Sequence, residues 1–521
     1  MIDSSPGLAR HLPLTRRQLS VLALIVIAGA FVRFYQISRP SLWLDEIWSI
    51  EMARGQGSQH DQFVDGVIRT DQADITSLAT AAPWWKIGSH LQLIIHPPLY
   101  FIVLRWWMDF FGSTAGATRS LSAIVSLFEI CIFFDVCRLL HGPRIALIAT
   151  ALMTLALAQI EIAQETRSYP QLIFLGLCCC DALVRIELFG ATPRRLFLLS
   201  AGLIAFMLTH YFAAGAVAAI SLYALIRLRG KNRNRVIAAI AIAGLFTAAV
   251  WVGPFLEQMR TFPDFNPGYL RENKSHHFLH TISRTIKLPL QYFFGETRGQ
   301  QIRLPIHIAA VLILLYAIAR LRTRPDLLLW LLWIACVIGW SAAQDLAHHS
   351  RILDYLRYTI LASPGVYVLV ATIEFPRFGP LRSAIPYAAV TILAVTAGLQ
   401  LRKGIPPHMD CRSFSRYIDT HAKPDDLLLY YYPSRFASPG IWYLCFKYYS
   451  PESQRPWLTL RKPPDAALLA QLEKRQSLWV IGLYANSYGP QILPGWHVEQ
   501  SFSNDTGDAC QMRYISAPAV P

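Results

Sequence analysis

The chain has 521 residues, of which 54% are hydrophobic and only 16% charged, and its mean hydropathy is +0.34. So few charges cannot solvate a globule of this length, which excludes an ordinary soluble protein. The net charge of +15 falls largely in short basic loops between apolar runs, the pattern of cytoplasmic connections rather than of a nucleic-acid surface.

The first apolar run, Gln18 to Val32, follows Arg10, Arg16 and Arg17, which would hold the N-terminus in the cytosol, and it closes on Arg33, Phe34 and Tyr35. Further spans are expected at 118–138, 144–163, 171–186, 195–209, 212–227, 236–256, 305–322, 327–343, 358–374 and 384–400. Arg138–Arg144, Pro193–Arg195, Arg227–Arg235, Arg320–Arg324 and Arg377–Arg382 fall on one side as cytoplasmic loops, and the remaining connections face outward. The run His96 to Phe111 is apolar but short and carries Arg105 and Asp109, so it either dips into the bilayer or crosses it. The expectation is a polytopic α-helical membrane protein of about 11–13 transmembrane helices, set in a bacterial inner membrane.

Residues 1–401 form the transmembrane domain, with large outward loops at 36–95 and 257–304. Residues 402–521 change composition and predict a small C-terminal α/β extracytoplasmic domain facing the periplasm. Strands are expected at Asp426–Tyr432 and Ser477–Tyr484, and helices at Phe436–Tyr449 and Ala466–Lys474. Six cysteines (Cys131, Cys137, Cys178, Cys179, Cys180 and Cys336) fall in spans as small apolar residues. Of the tail's three, Cys411 and Cys510 stand at the domain's two ends and are expected to bridge, whereas Cys445 sits in an apolar helix pattern and is expected buried and reduced. There is no C-x-x-C pair, which argues against a zinc ribbon or redox motif.

Chemistry-bearing residues gather at the outward ends of the spans. Asp45 and Glu46 lie among aromatics in Leu42–Ser49, about ten residues beyond the first span. Carboxylates beside apolar side chains gain proton affinity, which suits a base or metal ligand; the alternative is an amphipathic surface helix whose acids face water. His96-Pro97-Pro98-Leu99-Tyr100 places a histidine at the interface on a restricted backbone, unless it is only a helix start. Gln164-Glu165-Thr166-Arg167-Ser168-Tyr169-Pro170 puts an acid and a cation at a membrane boundary. His210-Tyr211 makes an outward turn, where an interfacial histidine is the plainer reading. Arg351 and Asp354-Tyr355-Leu356-Arg357-Tyr358 precede a late span, so Arg357 either snorkels to phospholipid or clamps a phosphate.

The order of these motifs (D-E, H-P-P-L-Y, Q-E-x-R-x-Y, H-Y, R-Y) resembles the GT-C glycosyltransferases, most of all the dolichyl-phosphate-mannose-protein mannosyltransferase-like branch that includes lipid A aminoarabinose transferases. The resemblance covers about residues 18 to 400. It implies an inverting enzyme that moves a sugar from a polyprenyl-phosphate-linked donor to a hydroxyl of a cell-envelope glycolipid or polysaccharide, or of a protein. It places the catalytic base at Asp45, with Glu46 orienting the acceptor or helping to bind a metal, and a second motif acid at Glu165. Arg357 and Tyr358 would face the lipid phosphate with Arg167 and Arg351 near, and His96, Tyr100, Tyr169, His210 and Tyr211 would line the substrate. His96 departs from the aminoarabinose transferases, which carry a lysine after a glutamate at that position, and this tells against an aminoarabinose donor. A divalent metal is left open; His276, His277 and His280 form an outward cluster more typical of solvated histidines than of a metal site.

Physics asks for the same residue types: a cation beside the leaving phosphate and a base within reach of the acceptor hydroxyl. A lipid-linked-sugar transporter would instead place its charges near the bilayer midplane and show duplicated halves. A noncatalytic scaffold would leave Asp45, Glu165 and Arg357 without a role.

Overall fold

A computed structural model describes residues 13–261, 277–320, 322–374, 383–404, 409–433, 438–475, 477–482, 493, 496–502 and 511–516. Helix α1 (Arg16–Phe34) starts on a capping box in which Thr15 and Gln18 bond each other's backbone N–H. After it come α2 (Leu44–Ala53), α3 (Leu99–Phe111), α4 (Ala115–His141), α5 (Pro143–Leu155) and α6 (Leu157–Ala163). Next are α7 (Tyr169–Phe189), α8 (Pro193–Met207), α9 (Ala213–Arg227), α10 (Gly230–Thr261), α11 (His277–Phe294), α12 (Glu296–Gln301) and α13 (Leu304–Ala319). The helical part ends with α14 (Leu328–His348), three short 3-10 turns over 352–362, α15 (Ser363–Ala371) and α16 (Ala384–Lys403).

Among the described residues, four helical stretches (Arg16–Phe34, Gly230–Thr261, Pro325–His348 and Ala384–Lys403) are long and apolar enough to cross a bilayer, and a fifth follows if α5 and α6, bent by 60°, count as one span. The other expected spans coincide with helices that are shorter or carry charge. Helix α4, for example, is 27 residues long but holds Arg119, Glu129, Asp135 and Arg138. The uncertain run 96–111 becomes α3, whose 13 residues rise only about 20 Å, short of the hydrocarbon thickness.

The tail builds a five-stranded sheet. Its strands are β1 (Leu427–Tyr431), β2 (Trp457–Leu460), β3 (Ser477–Gly482), β4 (His497–Phe502) and β5 (Gln511–Ser516), in the order β2-β1-β3-β5-β4. The pairs β1–β2 and β1–β3 are parallel, while β5 runs antiparallel to β3 and β4. Helices α17 (Cys411–His421), α18 (Gly440–Tyr449) and α19 (Ala466–Glu473) accompany it. The strands and helices expected at Asp426–Tyr432, Ser477–Tyr484, Phe436–Tyr449 and Ala466–Lys474 correspond to β1, β3, α18 and α19.

The division at residue 402 hides a close association between the tail and the 36–95 loop. Arg69 and Trp457 exchange backbone hydrogen bonds at 2.8 and 2.9 Å, so the loop adds a bridge to the β2 edge. Phe63 packs on Tyr443 and Trp457. One apolar core joins Ile47 and Ile50 of α2, Leu104 of α3, Phe414 of α17 and Trp442 of α18. The Leu42 N–H donates to Tyr449 Oη at 2.6 Å, which ties α18 to the segment entering α2. The tail thereby buttresses the helix that carries Asp45 and Glu46.

Candidate active site at the helix ends

Asp45 and Glu46 occupy the first turn of α2, where the helix dipole favours negative charge. Glu46 is completely buried. Its carboxylate accepts four hydrogen bonds: from Arg119 Nε (2.7 Å) and Nη2 (2.6 Å), Thr166 N (2.8 Å) and Trp43 N (3.3 Å). Four bonds use the capacity of a carboxylate, so Glu46 has none left for an acceptor or a metal. The resemblance implied an acceptor-orienting or metal-binding role for Glu46; here its carboxylate ties the start of α2 to Arg119 and to the turn before α7. Arg119, near the start of α4, is its partner and also donates to the carbonyls of Ile37, Pro40 and Ser41. One guanidinium thus gathers the 37–41 segment, the start of α2 and, through Glu46, the turn before α7.

Asp45 is placed differently. Its side chain is 24% exposed, and Oδ2 lies 3.7 Å from Arg167 and 3.6 Å from Arg357. Those distances give charge attraction without a close bond, so the carboxylate keeps acceptor capacity. Arg167 is aimed by donating to Asp45 O (3.2 Å) and Ser49 Oγ (3.1 Å), and Ser122 Oγ donates to the Arg167 carbonyl. Arg357 lies over the rings of Trp43, Tyr355 and Tyr358 at 5.1 to 5.3 Å, a cation–π cage that fixes its guanidinium. The three residues come from α2, the α6–α7 turn and the 3-10 turns before α15, which the fold brings to one place.

A second layer lies beside this centre. His96, Tyr100, Phe101, Arg167, Ser168 and Thr209 line a small cleft. The His96 and His210 rings meet at 4.9 Å, His210 stacks on Phe212, and Phe212 packs on Tyr358. Tyr169 stands 5.8 Å from the His210 ring. Burial drives both imidazoles toward the neutral form: His210 is pushed down to about 3, with Arg167 adding to the effect, and His96 falls well below its usual value. Among the described residues, the buried atoms His210 Nε2 and Arg167 Nε have no hydrogen-bond partner.

Other expected residues are placed otherwise. Tyr211 turns toward α10, where its hydroxyl donates to Gln258 (2.6 Å) and accepts from Trp251 (2.8 Å); Gln258 in turn holds the carbonyls of Leu91 and His96. Tyr211 therefore supports the His96 turn from behind. Arg351 pairs with Asp354, which also meets Arg284 and His280. Glu165 is partly exposed in the turn before α7. His276 and the side chain of His277 lie outside the described residues, as does Cys510. Cys411 Sγ instead lies 3.2 Å from Cys445 Sγ, both buried. Among the described residues, no three His, Cys, Asp or Glu side chains are grouped to hold a metal. With Glu46 consumed and two guanidiniums beside Asp45, the donor set does not fit a dication. Arg119 was the functional-site residue that sequence reasoning missed; its signal was a lone cation near the outward end of a predicted span.

The arrangement of helices has solved counterparts. The structure superposes on the crystal structure of ArnT from Cupriavidus metallidurans bound to undecaprenyl phosphate with a TM-score of 0.57 and 13% identity, covering 97% of this chain and 99% of that one. The same protein in the apo state gives a TM-score of 0.55 at 14% identity, covering 96% and 98%. The Archaeoglobus fulgidus oligosaccharyltransferase gives 0.51 at 10% identity, covering 91% of this chain and 70% of that one. The chain shares its fold with these solved structures, over nearly the whole length of both chains in the case of ArnT. No family model matches the sequence, and no curated protein sequence does.

Proposed function

We propose that the protein is an inverting glycosyltransferase that moves a sugar from a polyprenyl-phosphate-linked donor to a hydroxyl of a cell-envelope glycolipid or polysaccharide at the outer face of a bacterial inner membrane. The observation that carries this reading is the placement of one accessible carboxylate, Asp45, between two fixed guanidiniums, Arg167 and Arg357. The fold supports it: the ArnT crystal structure holds undecaprenyl phosphate.

In this reaction Asp45 accepts the proton of the acceptor hydroxyl as that oxygen attacks the anomeric carbon. The bond from that carbon to the phosphate oxygen breaks, and its electron pair leaves with the polyprenyl phosphate. Arg357 and Arg167 balance the charge that develops on the phosphate. One displacement with one base inverts the anomeric centre, because retention would need a covalent carboxylate intermediate. Neutral His96 and His210 offer hydrogen bonds to sugar hydroxyls without adding charge. The resident groups complete these steps, and none is routed through a metal.

Mass spectrometry of envelope glycolipids and glycoproteins from cells with and without the protein tests the reading. A sugar absent from one glycolipid or polysaccharide, restored by the wild type and not by Asp45→Asn, is the expected result. A sugar lost from proteins alone would move the acceptor to protein hydroxyls. An unchanged envelope, or full restoration by Asp45→Asn, would overturn the proposal.

A further inference from the structure

Away from the Asp45 centre, a cavity of about 400 Å³ opens between the ends of α1 and α16 and the start of α17. Arg39, Lys403, Arg412 and Arg416 line it, against one acid, Asp410. That acid is already engaged, because Asp410 caps α17 and accepts from the backbone N–H and hydroxyl of Ser413. Arg412 is braced: it donates to the Arg39 carbonyl at 3.0 Å and lies over the Tyr449 ring at 5.4 Å. Arg39 reaches Gln36 Oε1 at 3.0 Å, a neutral partner. Among the described residues no carboxylate pairs with Arg39, Lys403 or Arg416. Four cations around a cavity of this size, with their charge uncompensated, make a site for an anion.

The walls decide where that anion comes from. Helices α1 and α16 both have membrane-spanning length. They are joined by a small apolar cluster of Val32, Leu157, Ile160 and Ala397. Their outer faces expose Ile27, Phe31 and Phe34 on α1, and Ile392, Val395 and Leu399 on α16. These apolar faces run up to the basic cavity, so an acyl chain lying on either helix would carry its headgroup to the cations. We propose that this cavity binds the phosphate of an anionic membrane lipid, with its acyl chains along α1 and α16. The site is separate from the transfer reaction and stands whether or not the protein is a glycosyltransferase. It does share a wall with the active centre: residues Pro40 and Ser41 line the cavity, and Arg119 holds their carbonyls from the other side.

The test titrates short-chain phosphatidylglycerol, phosphatidylcholine and sn-glycerol 3-phosphate into the purified full-length protein in detergent, read by native mass spectrometry. Phosphatidylglycerol should bind most tightly, and the triple variant Arg39→Gln/Lys403→Gln/Arg416→Gln should weaken it about a hundredfold. Arg16→Gln/Arg17→Gln, two exposed cations at the other end of α1, should leave it unchanged. Should the triple variant fail to fold, Lys403→Gln and Arg416→Gln taken singly should each weaken binding about fivefold. Equal affinity for phosphatidylcholine, or wild-type affinity in the folded Gln variants, would overturn the site. Glycerol phosphate binding as tightly as the lipid would overturn the lipid as its occupant.

Discussion

The Arg119 guanidinium closes on the Glu46 carboxylate at 2.7 and 2.6 Å, although the two residues are 73 positions apart in the chain. Beside it, Asp45 stays accessible. The two acids of one dipeptide are thus divided, one holding the site together and the other facing its opening. Their neighbours decide the division: a four-bonded buried carboxylate on one side and a partly exposed carboxylate with two distant cations on the other.

Removing the anchor should therefore harm stability rather than chemistry alone. Glu46→Gln leaves the Arg119 charge buried and half-satisfied, so it should destabilise the protein by about 3–5 kcal/mol. Asp45→Asn at the adjacent position should cost little stability and lower turnover by about 10²–10⁴-fold. Thermal unfolding in detergent, run beside single-turnover transfer, separates the two. Equal melting losses for both variants would contradict the division of roles.

That division was only half legible in the sequence, which assigned Asp45 the role of base but placed Glu46 beside the acceptor or a metal. Local motifs named Asp45, Arg167 and Arg357, and the fold brings them together because each sits at a helix end or turn on the same side of the helices. Arg119 carried no motif, and only the packing of α4 against α2 reveals its partner. In the tail, β1 and β3 stood out as apolar runs. Strand β2 has four residues, and its pairing with Arg69 links segments nearly four hundred positions apart, beyond any local pattern. Strands β4 and β5 lack an apolar run long enough to announce a strand.

Arg357 provides the second prediction. Its cage of three rings fits a flat guanidinium, and its charge faces Asp45. Arg357→Ala should weaken polyprenyl-phosphate binding about tenfold or more, and Arg357→Lys should recover only part of that, since an ammonium stacks poorly and lacks the bidentate fork. Donor affinity measured by scintillation proximity would show it. Three equal affinities would leave Arg357 as an interfacial cation facing ordinary phospholipid.

His210 gives the protein a pH dependence of known sign. Burial, then Arg167, pushes its folded value down to about 3, whereas the unfolded chain titrates near 6.5. Between those values the unfolded state binds more protons, so stability falls as pH drops below about 6.5 and is level above it. His96 acts in the same direction. His60 is the opposite case: burial opposes its charge, but Glu51 and Asp61 raise its proton affinity, so its contribution is full below about 6.5 and fades as pH rises. Comparing wild type with His210→Asn isolates the His210 share. From pH 7.5 to pH 5 the wild type should lose about 2 kcal/mol more than the variant. Parallel stability–pH curves for the two proteins would rule out a buried neutral His210.

The cysteines of the tail allow a test of both pairing and sidedness. The sequence favoured Cys411 with Cys510, the two ends of the domain, and Cys510 lies outside the described residues. Cys411 and Cys445 are instead close, with 3.2 Å between sulfurs that solvent does not reach. They join α17 to α18, the two tail helices that hold the entry to α2: Arg412 N donates to Ser41 Oγ, and Tyr449 Oη accepts from Leu42 N. A bridge there would close 34 residues and add about 3–4 kcal/mol if unstrained. It would form only where thiols are oxidised, by exchange with a disulfide donor that is itself reduced. Peptide mapping without reductant, on protein taken from its native membrane, should recover the Cys411–Cys445 pair. Cys411→Ser and Cys445→Ser should lower the melting temperature equally, and reductant should not lower either variant further. Recovery of a Cys411–Cys510 peptide would restore the end-to-end bridge in its place. Free thiols at Cys411 and Cys445 that are labelled from the cytosolic side after mild unfolding would place the tail, and the Asp45 site it buttresses, on the opposite face of the membrane.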